Sequence, residues 1–102
     1  MARFKIVILA PAWQELEEIA DYHLATAGQI FAKKIADKIL DALSRLSEFP
    51  LSCPYAPDIE LKEQGYRMLV CDQYLLFYRL IDSTVCVYHI AHGAAEYGKL
   101  DY

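Results

Sequence analysis

Hydrophobic positions recur every three or four residues through the first half of the chain and nearly fill three short runs near its end. Residues 3–9, RFKIVIL, are rich in β-branched and aromatic side chains, which favours a strand. Pro11 then suits the first turn of a helix, where its missing N–H costs nothing. The apolar positions of that helix are Ala12, Leu16, Ile19, Ala20 and Leu24. The pattern therefore predicts a strand followed by an amphipathic helix.

A second helical stripe follows the break at Gly28. Its apolar positions are Phe31, Ile35, Ile39, Leu43 and Leu46, widened by Ala32, Ala36 and Ala42. We expect Pro50 to end it. Two stripes joined by a short break predict an antiparallel helical hairpin. Residues 50–65 hold three prolines and no regular period, so we expect a loop there.

The remaining chain reads as three strands. The runs YRMLVC, YLLFYRLI and TVCVYHIA, which begin at residues 66, 74 and 84, are separated by the short turns DQ and DS. Such connections predict consecutive β-hairpins and hence an antiparallel meander. The whole chain, residues 1–102, is expected to be one α+β domain of order β-α-α-β-β-β. In that two-layer fold the helical hairpin covers one face of the sheet.

The middle strand of the meander is apolar on both faces. Because side chains alternate along a strand, one face carries Tyr74, Leu76, Tyr78 and Leu80 and the other carries Leu75, Phe77, Arg79 and Ile81. An antiparallel sheet with one solvated face normally shows polar residues there. We therefore expect the outer face, which lies away from the helices, to be uncovered in the isolated chain and covered by a partner.

Composition and charge narrow the function. The chain is 56% apolar and 24% charged, its formal net charge is −4, and its pI is about 5.2. An acidic balance counts against broad binding to nucleic-acid phosphates, although a local basic groove would remain compatible. No apolar run reaches the roughly 18 residues of a membrane span, and we expect a cytoplasmic protein. Cys53, Cys71 and Cys86 lack zinc-ligand spacing and suit buried thiols in a reducing compartment.

Two histidines and two arginines are the residues best suited to chemistry or binding. On a strand, His89 and His92 point to opposite faces, so we expect no shared metal and no cofactor. His92 suits a general base or a groove ligand, but a histidine that caps the end of a strand is slightly favoured. Arg67 and Arg79 interrupt apolar strands, where an arginine either grips a carboxylate or phosphate or extends its charged group into solvent.

Several segments together resemble one family over nearly the whole chain. They are LSEFP at 46–50, GYR at 65–67, YLLFYRLID at 74–82 and HIAHG at 89–93, preceded by the strand and the proline-started helix. This combination resembles the RelE/ParE toxins of bacterial type II toxin–antitoxin modules, also called plasmid stabilisation proteins. The resemblance implies the β-α-α-β-β-β fold described above.

The family holds two activities, and the resemblance implies how they differ. Its ribosome-dependent mRNA endoribonucleases carry basic residues where this chain has Leu75, Ala94 and Ala95. We therefore favour a ParE-like toxin directed at DNA gyrase, with attenuated toxicity because that branch often keeps the basic pair. The alternative is a RelE-like ribonuclease acting on the ribosome and mRNA. Its catalytic residues would be His92, Arg67, Arg79 and Tyr97.

The resemblance also implies a protein partner. A co-encoded antitoxin is expected to wrap the toxin with a helix and a strand. The residues expected to bind the antitoxin or the target are Arg67, Leu75, Phe77, Arg79, His92 and Tyr97. We expect the two arginines to matter more for partner binding than for folding. A homodimer and a toxin–antitoxin hetero-oligomer are both compatible with the sequence.

Overall fold

The computed structural model describes residues 3–93, which form an α+β domain of two layers. The elements are β1 (Lys5–Ile8), α1 (Ala10–Ala27), α2 (Gln29–Arg45), α3 (Ile59–Glu63), β2 (Arg67–Cys71), β3 (Tyr74–Ile81) and β4 (Thr84–His92). The sheet order is β1-β4-β3-β2; β1 runs parallel to β4, and the other neighbours are antiparallel. The predicted fold class is confirmed, with the short α3 as an addition.

The helical hairpin turns at Gly28, as predicted. Gly28 has φ 95°, a conformation that favours glycine, and its N–H donates to the carbonyls of His23 and Leu24. Two predicted stripe positions are wrong, because Leu24 and Phe31 are 51% and 41% exposed. The inward residue in the last part of α1 is His23, which lies seven residues after the buried Leu16 and so keeps the helical register.

The main core lies between the hairpin and the sheet. It contains Leu16 from α1, Ile35, Ile39 and Leu43 from α2, and Tyr74, Leu76, Tyr78, Val85, Val87 and Ile90 from the sheet. The alternation predicted for β3 is confirmed, since its even-numbered residues face the helices. Beyond α2, turns occupy the residues before Pro50, so the helix ends earlier than the proline.

Part of the outer face of the sheet is covered by the chain itself. Ala56, Leu61 and Tyr66 pack on Leu75, Phe77 and Ala91 in a second buried cluster. The expectation of an uncovered outer face is therefore wrong at Leu75 and Phe77, although Ile81 and Val70 on the same face are 40% and 61% exposed. The expected loop contains α3. These contacts escaped the pattern analysis because the covering residues are five apart, a spacing that belongs to neither a helix nor a strand.

Backbone contacts fix this covering segment, residues 54–66, to the edge of the sheet. Met68 N–H of β2 donates to the Pro54 carbonyl at 3.1 Å, and Ala56 N–H closes the segment on itself by donating to the Tyr66 carbonyl at 2.9 Å. Within it, the Asp58 carboxylate caps α3 by accepting from Leu61 N–H at 3.1 Å. The segment is thus part of the folded domain.

The second half of β4 has a helix, not a strand, along one edge. The pairing of β1 with β4 ends at Ile8 and Val87, and a bulge in the β3–β4 pairing follows. Beyond that point, Glu15 Oε1 in α1 accepts from Ile90 N–H at 3.0 Å and lies 3.2 Å from His89 Nδ1. The Glu15 carboxylate therefore satisfies the N–H of Ile90, which has no neighbouring strand on that side to accept its hydrogen bond.

Candidate functional site: an apolar groove at the β1 edge

A cavity of about 570 Å³ lies along the open edge of β1. The N–H groups of Lys5 and Leu9 donate to carbonyls of the neighbouring β4 region, at 3.1 and 3.0 Å. Because donors alternate along a strand, the N–H groups of Ile6 and Ile8 point to the opposite edge. We call this cavity, together with the β1 edge, the β1 groove. It is lined by Ile6, Val7, Ile8, Trp13, Leu40, Leu43 and Ser44.

The walls of the β1 groove are apolar and partly exposed. Trp13 from α1 and Leu40 from α2 are 46% and 39% exposed and line the cavity together with β1. Large apolar side chains that line a concave surface of a small domain are typical of interaction sites. Apolar side chains of a partner can pack into the cavity, and the backbone of the partner can form hydrogen bonds with the edge of β1.

Arg67 is a structural anchor in this fold. Its Nη1 donates to the Cys53 carbonyl at 2.7 Å, and its guanidinium lies 4.2 Å from the centre of the Tyr55 ring. The Tyr78 hydroxyl nearby donates to the Pro50 carbonyl at 2.7 Å, and burial, helped by Cys53, raises the pKa of Tyr78 far above its ordinary value. Both side chains thus tie the start of the 50–66 region to the sheet.

Arg79 lies on the outer face and has different surroundings. Its guanidinium is 5.3 Å and 5.6 Å from the ring centres of Tyr66 and Tyr88, and it forms no ion pair with any described residue. Arg67 pairs with Tyr78, a helix-facing residue, whereas Arg79 belongs to the opposite face. The two arginines therefore do not form one site.

The remaining predicted site residues are also separated. His92 Nε2 lies 3.0 Å from Gln73 Oε1, while His89 contacts Glu15. Within residues 3–93, no group of three or more side chains is arranged to hold a metal ion. Leu75 and Phe77 are buried under the covering segment, so they could contact a partner only if that segment moved away. Ala94, Ala95 and Tyr97 lie outside the described residues.

Sequence reasoning missed His23 and Trp13. His23 is only 8% exposed, and its Nε2 lies 2.7 Å from the Tyr74 hydroxyl. Its position in the helical register of Leu16 was a usable signal. No local pattern marks Trp13 as a binding residue, because it lines the groove together with Leu40, which is distant in the sequence.

Comparison with known proteins gives the family. A family model described as the ParE toxin of type II toxin–antitoxin systems matches residues 6–97. The chain therefore belongs to the ParE toxin family, and the resemblance inferred from the sequence is confirmed. No curated protein matches the sequence well enough to count as a relative. In the described part of the chain, no helix is long and apolar enough to span a membrane.

Two solved structures share the fold. A chain of the chromosomal ParDE system from P. aeruginosa superposes with a TM-score of 0.75 at 15% identity, over 88% of this chain and 96% of that one. A chain of the RelBE2 toxin–antitoxin complex from Mycobacterium tuberculosis gives a TM-score of 0.60 at 19% identity, over 88% and 98%. At such identities the similarity establishes the fold.

Proposed function

We propose that this chain is a ParE-like toxin that is neutralised by a co-encoded antitoxin bound in the β1 groove. The observation that carries this proposal is the open β1 edge beside an apolar cavity with Trp13 and Leu40 on its walls. An added antitoxin strand would satisfy the donors and acceptors of Ile6 and Ile8. An apolar antitoxin helix would bury Trp13 and Leu40, and aromatic anchors of this kind dominate interface energies.

The covered outer face supports this location. The sequence suggested that the antitoxin covers Leu75 and Phe77, but those residues are already buried by the chain's own Leu61 and Tyr66. An antitoxin that contacts Leu75 and Phe77 would first have to displace the covering segment, and losing the buried contacts of that segment would weaken binding. The β1 groove requires no such displacement.

The same outer face favours a ParE-like toxin over a ribonuclease. Leu75, where the ribonuclease branch has a basic residue, packs with Ala91 and Phe77 in an apolar cluster. A scissile phosphate needs cations that stabilise its transition state, and losing one such donor typically costs about 100-fold to 1,000-fold in rate. We therefore propose DNA gyrase as the target, with toxicity attenuated because Ala94 and Ala95 replace the family's basic pair.

The antitoxin site can be tested by co-expression. The chain is produced with the protein of the neighbouring reading frame, and the complex is isolated through a tag on that protein. Leu40→Arg should reduce co-purification at least tenfold, because it places a charge against an apolar partner. Ile59→Arg is the matched control, since Ile59 is exposed on α3 over the outer face. Loss of the complex with Ile59→Arg but not with Leu40→Arg would refute the groove.

The activity is tested separately on translating ribosomes. Primer extension on a translated message should show no new cuts when the purified chain is added. Cuts in the ribosomal A site that disappear with His92→Ala would instead establish the ribonuclease alternative. A gyrase assay run in parallel should show linear DNA accumulating only at high concentrations of the chain.

A further inference from the structure

A second cavity, of about 370 Å³, lies between α1 and the strand ends where β3 begins and β4 finishes. We call it the α1–β3 pocket. Glu15, Glu18, Tyr22, Tyr74 and His92 are the lining residues that matter below. Its volume falls in the range of ordinary ligand pockets, and it is distinct from the β1 groove, with which it shares no lining residue.

The charge of the α1–β3 pocket is negative. Glu18 makes no ion pair with any described residue, and its one hydrogen bond is a long 3.4 Å contact from Gln14 Nε2. Glu15 has one oxygen engaged by Ile90 N–H and His89, but its carboxylate still faces the pocket. No described lysine or arginine lines the cavity. An anionic cavity of this kind favours a positively charged ligand.

Aromatic rings form the other walls. Tyr74 is held in place by its 2.7 Å hydrogen bond with His23, and His92 stands edge-on to it with the ring centres 5.7 Å apart. His23 also supports Tyr22, whose ring centre lies 5.2 Å away. Burial, helped by the neighbouring Tyr22, raises the pKa of Tyr74 above its ordinary value. Carboxylates combined with tyrosine rings bind cations through charge and cation–π attraction.

We propose that the α1–β3 pocket binds an arginine side chain of a partner protein. A guanidinium is planar, stacks on aromatic rings and donates to carboxylates, so it uses both kinds of wall. The surroundings indicate a polypeptide rather than a free cation. Residues 22–32 carry no Lys, Arg, Asp or Glu, and within them Tyr22 and Leu24 are 62% and 51% exposed. Flanking apolar residues of a partner would pack there.

This inference goes beyond the proposed function, because it depends neither on the β1 groove nor on the identity of the antitoxin. It is tested with small probes on the isolated full chain. In ¹H–¹⁵N NMR titrations, N-acetyl-arginine methylamide should shift the signals of Tyr22, Tyr74 and His92. The neutral isostere N-acetyl-citrulline methylamide should bind at least threefold more weakly. An acetylated Leu-Arg-Leu amide should bind more tightly than the single arginine derivative.

Two variants make the test specific. Glu18→Gln should raise the Kd of the arginine probe about three- to fivefold, the effect of one partly exposed ionic contact. Glu17→Gln, an exposed neighbour that does not line the pocket, should leave the Kd unchanged. Absence of shifts at the pocket, equal binding of the citrulline probe, or equal effects of the two variants would overturn the proposal. If butylguanidinium binds as tightly as the peptide, the partner-protein assignment is wrong.

Discussion

At the scale of single residues, Arg67 and Arg79 contribute unequally to the stability of the fold. Arg67 donates to the Cys53 carbonyl and stacks on Tyr55, whereas Arg79 makes only aromatic contacts among the described residues. We predict that Arg67→Ala lowers the free energy of unfolding by about 2 kcal/mol, since a hydrogen bond from a charged donor is lost. Arg79→Ala should cost less than about 1 kcal/mol. Urea denaturation of both variants measures the difference.

The sequence suggested that Arg79 binds the antitoxin, and the Arg79→Ala variant tests whether it does. If the antitoxin occupies the β1 groove, Arg79→Ala should leave its affinity unchanged within about twofold, because Arg79 lies on the outer face. Calorimetric titration decides this. A complex that is tenfold weaker with Arg79→Ala would indicate that the antitoxin binds the outer face and not the β1 groove.

Tyr78 should make the protein sensitive to alkali. Burial raises the pKa of Tyr78 above its ordinary value of 10.0, so above pH 10 the unfolded chain loses this proton and the folded chain keeps it. The unfolded state then binds fewer protons, and stability falls as pH rises. Tyr78→Phe should flatten this alkaline decline, although it loses the hydrogen bond to Pro50 at neutral pH. Unfolding free energies measured from pH 8 to 11 test this. An equally steep decline in the variant would contradict it.

At the scale of elements, the junction of α1 and β4 depends on Glu15. Its carboxylate accepts from Ile90 N–H, 75 residues away in the chain. Glu15→Ala should destabilise the fold by about 1–3 kcal/mol, because a partly buried donor loses its acceptor. Glu15→Gln keeps an acceptor oxygen and should cost less. Hydrogen exchange at Ile90 should accelerate in the alanine variant and not in the exposed control Glu17→Ala. Unchanged exchange at Ile90 would show that the contact is dispensable.

The sequence predicted those elements whose signals are local. The two helices, the break at Gly28 and the three meander strands each rest on spacing within one element, and the structure confirms these elements. Only the stripe positions Leu24 and Phe31 are wrong. Contacts between distant segments gave no periodic signal. The parallel pairing of β1 with β4, the covering of Phe77 by Leu61 and the junction at Glu15 all join residues more than ten positions apart.

The candidate site was less predictable than the fold for the same reason. Arg67 and Arg79 were recognised as unusual, but only the tertiary structure assigns them to opposite faces and gives Arg67 its carbonyl partner. The groove between Trp13, Leu40 and β1 combines three elements, and its apolar residues look like ordinary core positions in the sequence.

At the scale of the whole molecule, the exposed apolar surface should drive self-association. The β1 edge is open, and the hairpin exposes large side chains such as Trp13 and Ile30. We predict that the isolated chain self-associates in sedimentation experiments and becomes a defined complex when the antitoxin is added. A monodisperse monomer over a wide concentration range would contradict this.

The most direct test of the account is hydrogen–deuterium exchange of the toxin with and without its antitoxin. If the antitoxin binds the β1 groove, exchange should slow in β1, most strongly at Ile6 and Ile8, whose N–H groups point to the open edge. The covering segment, residues 54–66, should exchange as in the free chain. Protection confined to that segment, with β1 unchanged, would show that the antitoxin binds the outer face and that the β1 groove is not its site.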